Sequence, residues 1–192
     1  MKLILIDINE SQYDYEALLH SFDDEVINRI NRFMLLDDRK RTLLGLALIR
    51  KYIPGGKIKY GKHGKPYKDG NVFFNVSHSK SLVGILISEK VEVGLDIEYC
   101  DPNRKEGLDE FVFGEKLDSL DFYSRWTIKE SIGKCLGIGL GKDYKDIPSI
   151  EGENIYLGKK IFSQSFQFDD YMIALSNEGN KEEFGLEILE TI

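Results

Sequence analysis

Strict alternation in residues 91–98 (VEVGLDIE) is the feature that most constrains the fold. Apolar side chains occupy the odd positions, whereas Glu92, Asp96 and Glu98 occupy even ones. Successive side chains of a β-strand point to opposite faces. We therefore expect a strand whose apolar face packs on the core and whose other face carries Asp96 and Glu98 together.

A second acidic position lies in residues 126–134 (WTIKESIGK), a stretch that is typical of a helix. If this helix packs beside the strand, Glu130 joins Asp96 and Glu98. Hard carboxylate oxygens of this kind suit Mg²⁺, which also keeps water or phosphate in its shell. The simpler alternative is that Glu130 and Lys134, four residues apart, form an ordinary surface ion pair.

Composition narrows the class of protein. The chain has 192 residues and a net charge of −7, which argues against a general nucleic-acid binder. No apolar run approaches membrane-spanning length, and Asp7 interrupts the apolar start too early for a signal peptide. Cys100 and Cys135 form no disulfide framework. We expect a cytoplasmic monomer that binds neither nucleic acid nor membrane.

The predicted elements follow a helix-then-strands order in both halves of the chain. Strands are expected at 2–8, 57–60, 72–76, 82–88, 91–97, 159–168, 171–176 and 184–189, and helices at 23–36, 37–52 and within 108–136. In the helix at 23–36, Val26, Ile30, Phe33 and Met34 are expected to face inward. The order predicts an α+β chain with subdomains 1–92 and 93–192.

Two further motifs carry groups that bind anions. Residues 74–79 (FNVSHS) place Ser77 and His78 at a strand end, where both can donate hydrogen bonds to phosphate. A nucleophilic Ser-His pair is the alternative, but adjacent side chains on a strand diverge. Lys65 lies on a turn stiffened by glycine and proline, and basic residues concentrate in the first third of the chain.

These motifs together resemble those of the 4′-phosphopantetheinyl transferase superfamily. The two-part signature corresponds to residues 94–98 (GLDIE) and 126–134. Four further motifs resemble those of the surfactin-synthetase-type branch, namely residues 41–45 (RTLLG), 64–66 (GKP), 74–79 (FNVSHS) and 111–115 (FVFGE). The motifs occur in the family's order and span roughly residues 30 to 140.

The resemblance implies two similar α/β subdomains related by a pseudo-twofold axis, with the active site in the cleft between them. Subdomain 1–92 would mainly bind coenzyme A, the co-substrate. Subdomain 93–192 would hold the metal and dock the carrier, with carrier contacts expected at residues 99–123. The implied reaction moves the phosphopantetheine arm of coenzyme A to a serine of an apo acyl or peptidyl carrier protein. It depends on Mg²⁺ and releases adenosine 3′,5′-bisphosphate.

The resemblance also implies roles for single residues. The metal ligands would be Asp96, Glu98 and Glu130; the catalytic residues would be Glu130, Lys129 and Lys134; the nucleotide phosphates would contact Arg41, Lys65, Ser77 and His78. Glu130 is a candidate base for the serine proton. One carboxylate oxygen cannot be both a tight metal ligand and a free base, and the sequence leaves both roles open.

Two alternatives belong to other classes. A non-catalytic relative would bind coenzyme A or a carrier without turnover, but binding alone does not need three carboxylates and two helix lysines. A Mg²⁺-dependent pyrophosphatase would cleave coenzyme A with water as the acceptor, and would do so without any carrier protein.

Overall fold

The structure is a computed structural model that describes residues 1–104, 107–139 and 144–192. Its strands are β1 (Lys2–Asp7), β2 (Lys59–Tyr60), β3 (Pro66–Tyr67), β4 (Phe73–Ser79), β5 (Leu82–Ser88), β6 (Val93–Tyr99), β7 (Gly152–Tyr156), β8 (Lys159–Phe168), β9 (Tyr171–Glu178) and β10 (Gly185–Leu189). Its helices are α1 (Tyr15–His20), α2 (Asp24–Ile30), α3 (Leu36–Tyr52), α4 (Leu108–Phe113) and α5 (Ser119–Leu136). Within the described ranges, none of the helices is both long and apolar enough to cross a membrane.

Two four-stranded sheets form the centre of the molecule, which confirms the predicted α+β class. The first sheet has the order β10-β1-β5-β4 and the second has the order β6-β9-β8-β7. The last strand, β10, pairs in parallel with β1, so the chain returns to the first sheet after building the second. The division at residues 92 and 93 coincides with the start of β6, but β10 lies apart from the sheet of its own half. That division and the pseudo-twofold axis stay predictions.

Four apolar clusters hold the layers of the described chain together. One lies between the first sheet and α1, α2 and α3, and two join α5 to the second sheet. The fourth lies between the two sheets and contains Val93, Leu95 and Ile97. The apolar face of β6 is therefore the contact between sheets, as the alternation predicts, and its polar face is turned towards α5.

Side chains of β4 connect the two sheets through the backbone of β6. The β4 side chains alternate along the strand, and each accepts a hydrogen bond from a β6 N–H. The pairs are Asn75 with Leu95 at 2.9 Å, Ser77 with Ile97 at 3.3 Å and Ser79 with Tyr99 at 3.0 Å. These bonds satisfy buried amides that have no neighbouring strand on that side. They bring the motif at 74–79 directly against the strand that carries Asp96.

Gly94 lets α5 approach β6 closely. A Cβ atom at this position would lie 1.9 Å from the carbonyl oxygen of Ser131 and 2.4 Å from the backbone nitrogen of Cys135. No side chain fits against backbone at that separation. The glycine of the 94–98 motif is therefore required by packing, and it sets the distance between the acidic strand and the helix that carries Glu130.

The predicted helix at 23–36 is too long. Helix α2 ends at Ile30, and a loop separates it from α3. The guanidinium group of Arg39 donates to the carbonyl oxygens of Phe33 and Asn31, which fixes this loop outside a helical path. Phe33 is 40% exposed and Met34 is 93% exposed, so the prediction that both face inward is wrong.

Candidate active site

Asp96 and Glu98 lie on the face of β6 that is turned towards α5. Asp96 is buried; its Oδ1 accepts from Lys134 Nζ at 2.5 Å, and its Oδ2 is buried without a hydrogen-bond partner in the described part of the chain. Glu98 accepts from Ser79 Oγ at 3.2 Å and from Trp126 Nε1 at 3.4 Å. Period-two geometry has thus brought both carboxylates to the helix, as predicted.

Glu130 lies on α5 within electrostatic range of both strand carboxylates. Burial raises the pKa of Glu130 to about 7; Asp96 adds to the rise, Lys134 opposes it, and Glu98 raises it further. Burial first, and then Asp96, also raise the pKa of Glu98. The Glu130 carboxylate has no hydrogen bond or ion pair to any described residue. Three acidic groups therefore lie within electrostatic range of one another in a partly dry space, where Lys134 is a neighbouring positive charge.

The chemistry of this acidic group fits a hard divalent cation. It offers three carboxylates, an unpartnered buried oxygen on Asp96 and mutual repulsion that a cation would relieve. In this structure, however, no three His, Cys, Asp or Glu side chains among the described residues lie close enough together to hold a metal ion. The ammonium of Lys134 sits against Asp96 instead. Metal binding by Asp96, Glu98 and Glu130 stays a prediction.

Lys134 and Ser77 complete a polar connection across the sheets. Lys134 Nζ donates to Ser77 Oγ at 3.0 Å as well as to Asp96, and Ser77 Oγ donates to Asp96 Oδ1 at 3.3 Å. Burial disfavours the charged ammonium, but Asp96 outweighs it, so the pKa of Lys134 is raised. With the bond from Ile97 N, the hydroxyl of Ser77 uses its one donor and both acceptor positions. Ser77 therefore has no bond left for a phosphate in this arrangement.

Lys129 has a different environment from Lys134. It is fully buried, and its Nζ donates to the carbonyl oxygens of Tyr144 and Lys145 at 3.0 and 2.9 Å and also to that of Ile147. Burial, and next Arg125, lower its pKa to about 8. All three donors of the ammonium are used. Lys129 thus anchors the segment after residue 143, and its catalytic role stays a prediction that this geometry does not favour.

The cations expected to bind nucleotide phosphates lie in the N-terminal half. Arg41 donates to the carbonyl oxygen of Lys80 at 2.5 Å and pairs with Asp38. His78 remains accessible to solvent, but partial burial of its ring, then the nearby charges of Arg41 and Lys134, lower its pKa, and Asp38 opposes them. Arg41, His78 and Lys134 therefore act on one region of space. That region lies next to the acidic group, and Asp38 and Asp96 pair with Arg41 and Lys134 there.

Lys65 is already engaged between the two halves. Its Nζ donates to Glu92 Oε2 at 2.7 Å and to the carbonyl oxygens of Val93 and Cys135 at 3.0 and 3.1 Å. It ties the turn at 64–66 to the start of β6 and the end of α5. A phosphate contact for Lys65 stays a prediction, and would have to replace one of these three bonds.

Sequence reasoning missed a small cavity where this turn meets α5. The cavity has a volume of about 180 Å³, and its lining includes His63, Lys65, Lys134 and Gly139. His63 packs directly against Gly139, whose φ of +65° favours glycine. Both lysines already pair with carboxylates, Lys65 with Glu92 and Lys134 with Asp96. The glycines at 137 and 139, just past the helix signature, were the available signal.

Comparison with known proteins agrees with this geometry. A family model described as the 4′-phosphopantetheinyl transferase superfamily matches residues 92–181, which contain the acidic strand and α5. The chain is 27% identical over 162 residues to the 4′-phosphopantetheinyl transferase HetI of Nostoc sp., and 35% identical over 127 residues to the 4′-phosphopantetheinyl transferase gsp of Aneurinibacillus migulanus. Residues 92–181 of the chain are thus similar to the 4′-phosphopantetheinyl transferase superfamily.

The matches cover different shares of these superfamily members. The HetI match spans 71% of this chain and 68% of HetI, and the gsp match spans 57% of this chain and 53% of gsp. The mouse L-aminoadipate-semialdehyde dehydrogenase-phosphopantetheinyl transferase is 29% identical over 68% of this chain and 53% of its own length. The chain thus matches about half the length of two of these three relatives.

Proposed function

We propose that this chain is a 4′-phosphopantetheinyl transferase. It moves the phosphopantetheine arm of coenzyme A to a serine of an apo acyl or peptidyl carrier protein. The observation that carries the proposal is the contact of Lys134 with both Ser77 and Asp96. This contact brings a lysine of α5 to Ser77, in the motif expected to bind phosphates, and to Asp96 of the acidic group.

The reaction requires each of these groups for a stated purpose. The serine oxygen attacks the phosphorus that bears pantetheine, the bond from that phosphorus to the nucleotide phosphate breaks, and adenosine 3′,5′-bisphosphate leaves. Glu130 accepts the serine proton, as its pKa near 7 permits near neutral pH. Lys134 makes two hydrogen bonds to the described residues, so one of its donors is available to stabilise the charge that develops on the phosphates. Arg41 and His78 hold nucleotide phosphates that do not react.

The expected metal is Mg²⁺, held by Asp96, Glu98 and Glu130. When bound, Mg²⁺ would neutralise negative charge on the two phosphates of the pyrophosphate linkage. If Glu130 serves as a ligand, its other oxygen remains for the serine proton. We also retain the expectations of a monomer and of a cytoplasmic location, with which the two free cysteines are compatible.

The proposal is tested by the identity of the acceptor. With coenzyme A, Mg²⁺ and an apo carrier, intact mass should show one added arm, with one adenosine 3′,5′-bisphosphate released for each carrier modified. A carrier whose acceptor serine is replaced by alanine should bind and release nothing. An aligned protein hydroxyl has a large effective molarity, whereas loosely held water does not.

The same experiment separates the alternatives. Equal nucleotide release with the serine and alanine carriers would identify a pyrophosphatase and overturn the transferase proposal. Binding of coenzyme A with no turnover across a panel of apo carriers would identify a non-catalytic relative.

Ser77→Ala and His78→Ala should give different kinetic results although the residues are adjacent. Because the hydroxyl of Ser77 orients Asp96 and Lys134, Ser77→Ala should lower kcat about tenfold with little change in the KM for coenzyme A. His78→Ala should mainly raise that KM, since contacts to unreactive phosphates are equal in ground and transition states. Steady-state kinetics at varied coenzyme A measure both. A pure KM effect for Ser77→Ala would return it to phosphate binding.

A further inference from the structure

The loop between α2 and α3, together with the first residue of α3, exposes four consecutive large apolar side chains. They are Phe33, Met34, Leu35 and Leu36, with Met34 93% and Leu35 65% exposed, and we call residues 33–36 the apolar loop. The bonds from Arg39 to the carbonyl oxygens of Phe33 and Asn31 give the loop a defined shape. Exposed apolar side chains that are contiguous mark interaction sites more often than chance surface.

Charge separates this loop from the segment expected to meet the carrier. Residues 29–41, which contain the apolar loop, carry five basic and two acidic side chains. The sequence of residues 99–123 carries three basic and seven acidic ones, of which residues 105 and 106 lie outside the described ranges. Phe111 is 64% exposed there, so both segments offer apolar surface. Of these two segments, only the one with the apolar loop combines exposed apolar side chains with an excess of basic residues.

The apolar loop also adjoins the rim of the proposed active site. A cavity of about 390 Å³ is lined by Asp37 and Arg41 on α3, by Lys80, and by Tyr99 at the end of β6. Asp37 directly follows the apolar loop, and Tyr99 directly follows Glu98. A protein seated on the loop would therefore stand beside the end of β6 that carries the acidic group.

We propose that the apolar loop docks the carrier protein. The inference rests on the proposed function and names a surface for its partner. By complementarity, the carrier presents an apolar contact bordered by acidic side chains. The apolar loop supplies buried contact area, which gives affinity, and the surrounding cations supply orientation and attraction. An enzyme of net negative charge could thereby attract an acidic partner through a local excess of basic residues.

The central test is the double variant Met34→Ser with Leu35→Ser. Both side chains are exposed, so the fold should survive, which thermal unfolding checks. The KM for the apo carrier should rise about tenfold or more, because apolar anchors dominate interface energetics. The kcat and the KM for coenzyme A should stay unchanged. An unchanged KM for the carrier would overturn the proposal.

One control variant and two further variants sharpen the result. Ile155→Ser removes an equally exposed apolar side chain from β7 and should leave the KM for the carrier unchanged. Phe111→Ser tests the acidic segment, and should have a much smaller effect than the double variant. A larger effect of Phe111→Ser would assign docking to residues 99–123 and overturn the proposal. Lys40→Glu should also raise the KM for the carrier, more at low than at high salt.

Direct binding keeps failure of docking distinct from failure of the function. Binding of the apo carrier is measured without coenzyme A or Mg²⁺, for the wild type and the double variant. If the wild type transfers no arm but binds the carrier through Met34 and Leu35, the transferase proposal fails and docking stands. Equal binding by both, or no binding, overturns docking. Loss of a wild-type dimer, or of liposome binding, in the double variant with unchanged carrier binding would also overturn it.

Discussion

Glu130→Gln is expected to lower the rate of arm transfer by about 10²–10⁴-fold while leaving the fold as stable as before. The variant removes a candidate base and one carboxylate of the predicted metal group without changing the size of the side chain. Since the Glu130 carboxylate makes no hydrogen bond to the described residues, no native contact is lost. Its charge is repelled by Asp96 and Glu98, so in metal-free buffer the melting temperature should not fall.

Asp96→Asn should cause a comparable loss of rate for a partly different reason, since it also weakens the pair with Lys134. Glu153→Gln, at an exposed carboxylate on β7 that pairs with Lys160, is the matched control and should not change the rate. A second measurement is independent of turnover. Mg²⁺ should raise the melting temperature of the wild type and of Glu153→Gln, but much less that of Glu130→Gln. Near-normal turnover of Glu130→Gln at limiting Mg²⁺ would refute the metal assignment.

The acidic half of the site could be predicted from the sequence because its geometry is local. Period two puts Asp96 and Glu98 on one face of β6, and that is where they lie. Helical geometry also indicates which of the two lysines lies on the side of Glu130. Lys129 and Lys134 are five residues apart, which is about 140° around a helix, whereas Glu130 and Lys134 share a face. Therefore, if Glu130 faces Asp96, Lys134 can also reach Asp96 and Lys129 cannot.

The phosphate-binding half of the site was harder to predict from the sequence because it depends on long-range contacts. Nothing near Ser77 in the sequence indicates that its hydroxyl is shared by Lys134, Asp96 and Ile97 N. Likewise, the three bonds that occupy Lys65 come from residues far along the chain. A donor can be recognised from its type, but whether it is free for a ligand depends on which acceptors the fold brings to it.

The misplaced end of α2 has a similar cause. Phe33 and Met34 follow Ile30 at spacings that extend an apolar helical face, so the pattern predicted burial for both. The chain leaves the helix after Ile30, and Arg39 holds the loop through backbone carbonyls. Apolar spacing does not distinguish a buried stripe from an exposed contact surface, because both keep apolar side chains together.

Gly94→Ala should be the most disruptive single-methyl substitution in the described core. The new Cβ would lie 1.9 Å from the Ser131 carbonyl oxygen and 2.4 Å from the Cys135 nitrogen, so α5 must move away from β6. Overpacking against backbone should cost on the order of 3 kcal/mol of unfolding free energy, or roughly 6–12 °C in Tm. Differential scanning calorimetry at one protein concentration measures this loss.

Gly185→Ala is the matched control, since it also adds a methyl group to a strand glycine but meets no atom within 4 Å. Its melting temperature should stay near that of the wild type. Gly94→Ala should lose more activity than its folded fraction accounts for, because moving α5 separates Lys134 and Glu130 from Asp96. If the folded variant kept full kcat, the distance between β6 and α5 would not matter for catalysis. The glycine of the 94–98 motif would then serve stability alone.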